Sequence, residues 1–143
     1  MKKENKIVVL KLGGSIISDK SKKYSFRKEN VSRLVKEIKD NYPERSFIIV
    51  HGGGSFGHPK AKEYQITSGL NNEKQKYGFY ITHEKMLELN KLVLQELTSK
   101  DLPAFPIAPS STFITKSGEP ETFNSNTTSE LLKKGFIPEI GRA

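Results

Sequence analysis

Two glycine-rich turns are the parts of this 143-residue chain best equipped for chemistry. The first is Lys11-Leu12-Gly13-Gly14-Ser15, and the second is His51-Gly52-Gly53-Gly54-Ser55-Phe56-Gly57-His58. Glycine lets main-chain amides approach anionic oxygens with no side chain in between. A helix that follows such a turn adds its positive end. The Lys11 ammonium stands where it could reach a phosphate held over the first turn. One Gly-Gly pair after a strand is as readily a plain tight turn. A lysine beside one turn and a histidine beside the other point together to phosphate chemistry.

The second turn also satisfies two other patterns. Gly52 to Gly57 fits the dinucleotide fingerprint G-x-G-x-x-G, and Gly53 to Gly57 fits the nucleophile elbow G-x-S-x-G. One loop cannot be both. A hydrolase needs an acid and then a histidine downstream of Ser55. The only later histidines are His58, three residues away, and His83, on a long helix. A dinucleotide site expects an acid about 20 residues on, ending a second strand, but that region opens the same long helix. The phosphate-loop motif G-x-x-x-x-G-K-[ST] fails as well: near Asp19-Lys20-Ser21 its second glycine is missing.

The elements that must position these turns alternate. Lys6–Leu12 reads as a buried strand, and the polar stretch to Ser25 as a loop. Val31, Leu34, Val35 and Ile38 recur at helical spacing over about 27–40, and Tyr42-Pro43 ends that helix. Ser46–Val50 is a second buried strand, with a short helix expected near Lys60–Tyr64. Glu73–Ser99 is a long helix with a stripe of Phe79, Met86, Asn90, Val93 and Leu97. Pro103–Ile107 is a third strand, and Thr112 to Phe123 a hairpin. Thr127 and Glu130 form a capping box for a helix stopped by Gly135, and Phe136–Ile140 begins another strand. Strands alternating with helices imply an α/β domain: three αβα layers around a mainly parallel sheet. In such a sheet, ligands sit beyond the carboxyl ends of the strands. Glu139 departs from the apolar residue a buried strand normally carries.

Composition narrows the classes. The net charge of +8 favours an anionic partner, although scattered lysines also describe a solvated surface. No nucleic-acid-binding module is recognisable, and no apolar run reaches the roughly 18 residues of a membrane span. The apolar stretch after Met1-Lys2-Lys3 is about four residues, whereas a signal core needs about 7–15. Cysteine is absent, so thiol chemistry and disulfides are too. A cytoplasmic location is expected.

The two turns in this order resemble the amino acid kinase superfamily, and His51 to His58 narrows the resemblance to isopentenyl phosphate kinases, with phosphonate kinases close by. Asp19-Lys20, Pro59 to Tyr64, Gly78-Phe79, Thr82-His83, Leu89-Asn90 and Leu102 to Ile107 with Pro109-Ser110-Ser111 are similar to that family too. The resemblance implies transfer of the ATP γ-phosphoryl group to isopentenyl phosphate. It puts Lys11, Leu12, Gly13, Gly14, Ser15 and Gly54 on ATP, and Gly53 and His58 on the acceptor phosphate. Phe79 and Thr82 fall near the prenyl chain. Lys11, Lys20 and His58 are the catalytic set, with Lys20 neutralising charge in the transition state. It implies Mg2+ held mainly by the phosphates, with no protein metal ligand identifiable, and a homodimer for the full-length family. Read from the residues alone, His58 could cap the next helix, Lys20 could be a solvated loop lysine, and Phe79 and Thr82 could be ordinary core. His83 and His51 read as packing and loop-shaping residues. The family continues with a Gly-Asp turn where this chain has Gly141-Arg142-Ala143. Residues 1–143 are therefore expected to be the substrate-binding N-terminal part of a truncated domain lacking its nucleotide-binding part, and inactive alone. A non-catalytic phosphate-binding domain is the alternative outside enzymes.

Overall fold

The computed structural model describes residues 6–141. The first strand, β1 (Ile7–Leu12), runs into the first glycine turn; expected to be buried, it is the edge strand of the sheet among the described residues, with Ile7 and Val9 exposed on one face. A one-turn helix α1 (Gly14–Ile17) follows, in the stretch expected to be loop throughout. Then come α2 (Lys28–Asn41), β2 (Ser46–His51), α3 (Gly54–Glu63) and α4 (Glu73–Thr98). The chain goes on through β3 (Ala104–Ile107), a hairpin of β4 (Phe113–Lys116) and β5 (Glu119–Phe123), α5 (Asn126–Lys133) and β6 (Ile137–Gly141). Arg142 and Ala143, where the family's Gly-Asp turn is expected, lie outside the described residues, as do Met1 to Asn5.

The main sheet has the order β1-β2-β6-β3, all parallel. Its alternating register sends Leu12, Phe47, Ile49 and Ile137 to one face. There they pack with Val31, Val35 and Ile38 of α2 and Leu89, Val93 and Leu97 of α4. The steps β1 to β2 and β2 to β3 run in one direction across the sheet. The step β3 to β6 runs back, so a right-handed crossover carries α5 over the opposite face. An edge contact of Phe105 with Phe136, ring centroids 6.2 Å apart, ties that side together. The mixed α/β architecture around a mainly parallel sheet, expected from the alternating elements, is present.

Three local expectations are corrected. The second glycine turn opens α3 directly at Gly54, six residues before the expected start at Lys60. Thr127 is not an N-cap: α5 already begins at Asn126, whose amide donates to Asn124 Oδ1 at 3.0 Å. Phe79 does not join the buried stripe of α4; it is 48% exposed, because that end of the helix faces a cleft rather than the sheet. Gly135 does stop α5, its amide and that of Phe136 donating to Leu132 O and Leu131 O.

Candidate active site

Both glycine turns lie at the carboxyl end of the sheet, after adjacent strands paired Leu12 to His51. They touch each other. A Cβ built on Gly14 would stand 3.3 Å from Gly54 Cα, and a Cβ on Gly54 would overlap the Ser18 hydroxyl. Gly54 also has φ of +48°, so backbone conformation and space both require glycine there. Gly54 is the first residue of α3, whose first-turn amides lack intrahelical partners. The Ser55 amide is taken by Ser18 Oγ at 2.8 Å, and those of Phe56 and Gly57 by Gly53 O. Among the described residues the Gly54 amide has no acceptor. It is left at the positive end of the helix, where an anion is favoured.

Two lysines stand near the turns in different surroundings, Lys20 at the Gly14–Gly54 contact and Lys11 in a neighbouring cleft. The Lys20 side chain lies over the first turn, its Cε 3.8 Å from a Cβ placed on Gly14. It projects from a tight bend in which Asp19 Oδ1 accepts from the Ser21 amide at 2.9 Å and the Ser21 hydroxyl at 2.7 Å. Those bonds, aided by the Arg27 guanidinium 3.9 Å away, hold the Asp19 carboxyl below its usual pKa. Lys11 is exposed at the end of β1 and lines an open cleft with Gly52, Phe79 and Ser110. Leu12 puts its side chain into the core, so only its main chain is available to the turn. Ser15 is exposed beyond it, and its carbonyl accepts from Arg27 Nη1 at 3.2 Å.

The groups assigned to the acceptor converge. Gly53, His58, Phe79 and Thr82 line one cavity of about 240 Å³ between α3 and α4. The sequence did not reveal that Met86 forms its floor. The Met86 sulfur stands 3.3 Å from a Cβ placed on Gly53 and 2.8 Å from one on Gly57. Ala61, Ile66 and His83 complete the wall. Imidazole and glycine backbone thus share the lining of a largely apolar slot. His58 is exposed at its mouth and caps no helix by a side-chain bond. Thr82 is buried and donates to Gly78 O at 2.7 Å.

Ser55, the residue a hydrolase would need, is buried, and its Oγ donates to Ser25 O at 3.2 Å while accepting from the Ser25 amide at 3.1 Å. No histidine is among its hydrogen-bond partners. His51 is the base of the second turn. Its Nδ1 lies 3.1 Å from Gly52 O and its Nε2 2.9 Å from Asn90 Oδ1 and 2.8 Å from Glu139 Oε1. Among the described residues no group of three or more His, Cys, Asp or Glu is placed to hold a metal ion. Among the same residues no helix is long and apolar enough to cross a membrane.

A parallel sheet whose first two strands each end in a glycine turn is the arrangement of the amino acid kinase family, which the chain matches over residues 6–142. It belongs to that family. Within it, the chain is 39% identical to isopentenyl phosphate kinase from Methanocaldococcus jannaschii, over 94% of this chain and 54% of the relative. Against the corresponding kinase from Methanothermobacter thermautotrophicus the identity is 34%, with 94% and 52% covered. An X-ray structure of isopentenyl phosphate kinase superposes with a TM-score of 0.87 at 33% identity, covering 94% of this chain and 55% of that one. The product complex of the T. acidophilum enzyme gives 0.81 at 27% identity, with 95% and 54% covered. The chain spans about half the length of the curated relatives it matches.

Proposed function

We propose that this chain is the substrate-binding half of an ATP-dependent kinase that phosphorylates isopentenyl phosphate to isopentenyl diphosphate. One observation carries the reading: Gly53, His58, Phe79 and Thr82, from separate stretches of sequence, line a single, largely apolar slot that carries an exposed imidazole. That shape suits a short prenyl chain ending in a phosphate. The names of the relatives support the same acceptor.

The chemistry asks little of the protein beyond position and charge. A phosphate monoester has a second pKa of about 6, so the acceptor is largely a dianion at neutral pH and needs no general base. Transfer then depends on alignment and on neutralising oxygens as charge shifts. His58 and the Gly53 backbone hold the acceptor phosphate in the slot they line. Lys11, with the turn from Leu12 to Ser15 and the Gly54 amide, receives the ATP phosphates. Lys20, lying over Gly14, offsets negative charge between the two. Mg2+, when bound, would neutralise nucleotide oxygens. The Asp19 carboxylate is already engaged by Ser21 and Arg27, so the nucleotide phosphates would be the main ligands. Pairing of two copies and a cytoplasmic location belong to the same reading and rest on the family resemblance.

The test is phosphoryl transfer from ATP by the full-length protein, with isopentenyl phosphate and fosfomycin compared as acceptors. Preferred turnover of isopentenyl phosphate, lost in His58→Ala, is expected. Preferred turnover of fosfomycin would assign the slot to a phosphonate. Binding of isopentenyl phosphate with no transfer would make the domain a non-catalytic binder.

A further inference from the structure

Ser18 belongs to neither glycine turn, yet it joins them. Its side chain is fully buried. The Oγ donates to Gly14 O in the first turn at 2.8 Å and accepts from the Ser55 amide in the second at 2.8 Å. A hydroxyl has one proton to give and lone pairs to receive, and here both capacities bridge the gap between the turns. The bridge continues outward. Ser55 Oγ bonds both the amide and the carbonyl of Ser25. Ser25 Oγ in turn bonds the amide and carbonyl of Asp19 at 2.9 Å each, beside Lys20. Ser18, Ser55 and Ser25 thus form one chain of side-chain hydroxyls running from the first turn, through the second, to the root of the lysine loop.

We propose that Ser18 is a positioning residue that fixes the distance between the donor-phosphate and acceptor-phosphate turns, with Ser55 and Ser25 extending the same frame to Lys20. This rests on the kinase reading above. Each turn can bind its own anion without Ser18; alignment of the two requires the bridge. The hydroxyl meets no cavity surface, so its effect is felt only through the turns.

The test uses three ligands on the full-length protein: isopentenyl phosphate, ATP, and a bisubstrate in which isopentenol is esterified to the end of an adenosine polyphosphate. The bisubstrate spans both turns, so its affinity gain depends on their spacing, a gain of order 10²–10⁴ that vanishes when the geometry fails. In Ser18→Ala the two single ligands should hold within about 3-fold, while the bisubstrate weakens by about 100-fold or more. Transfer should show a matching split, kcat falling by about 100-fold with both KM values nearly unchanged. Ser18→Thr, which keeps the hydroxyl, should restore both. If Ser18→Ala does not fold, Ser18→Cys replaces it, its larger sulfur lengthening both contacts, and the same selective loss is expected. Unchanged bisubstrate affinity, or parallel loss of all three ligands, would overturn the proposal while leaving the kinase reading intact. A wild-type protein that binds neither isopentenyl phosphate nor ATP would contradict the kinase reading and this inference with it.

Discussion

His51 and Glu139 face each other across the adjacent strands β2 and β6, Nε2 to Oε1 at 2.8 Å, with both side chains wholly buried. At that distance the carboxylate both accepts from the ring and attracts its positive charge. Three acceptors surround the ring: Gly52 O, Asn90 Oδ1 and Glu139 Oε1. A neutral imidazole has one N–H, whereas donation from both nitrogens needs the imidazolium. Burial disfavours that charge, but the Glu139 carboxylate, Asn90 and Gly52 outweigh it and raise the His51 pKa above its ordinary value.

The first prediction follows from that pair. A group whose pKa is raised on folding contributes stability that is complete below its unfolded value, about 6.5 for histidine. The contribution is lost as pH climbs through the folded value. Thermal unfolding followed from pH 6 upward should therefore show wild-type stability declining, and Glu139→Gln should flatten that dependence. Replacing His51 by alanine strands a buried carboxylate and should lower stability by about 3–5 kcal/mol. A loss below about 1 kcal/mol in denaturant titrations would mean that the carboxylate finds water or another partner.

The glycines of the second turn should differ sharply. A methyl group on Gly52 would meet nothing within 4 Å, so Gly52→Ala should change stability by less than about 1 kcal/mol. Gly54→Ala introduces a methyl group against Ser18 at φ +48° and should cost several times more, with nucleotide affinity falling alongside. Equal melting temperatures for the two variants would show that the turns are not packed as described.

Phe79 divides two surfaces, lining both the slot with His58 and the open cleft with Lys11. Phe79→Ala should weaken isopentenyl phosphate by about 10-fold, the equivalent of about 1.4 kcal/mol, while methyl phosphate is little affected. Calorimetric titration with both ligands checks this. Equal losses would place the prenyl chain elsewhere.

Much of this arrangement was legible from local pattern. Val31, Val35 and Ile38 marked the buried face of α2, and the apolar runs before each glycine turn marked β1 and β2. What escaped depended on partners distant in sequence. Glu139 looked anomalous in a buried strand because its counter-charge, His51, lies 88 positions earlier. Met86 read as core, and it is buried, but only the packing of α4 against α3 brings its sulfur under Gly53 and Gly57. The early start of α3 was hidden because Gly54-Ser55-Phe56-Gly57 is poor in helix formers, and tertiary contacts through Ser18 and Ser25 hold it in place. Ser18 itself carries no motif; its role exists only where two turns meet.

The most direct measurement is a crystal structure of the full-length protein with isopentenyl phosphate and a non-hydrolysable ATP analogue. The acceptor phosphate should lie against His58 and the Gly53 backbone, with the prenyl chain between Phe79 and Thr82. The γ-phosphate should lie over Gly14 and Gly54, with reacting atoms about 3–3.5 Å apart. An acceptor phosphate bound away from His58, or two phosphates on opposite sides of the Gly14–Gly54 contact with no line between them, would contradict the proposed function.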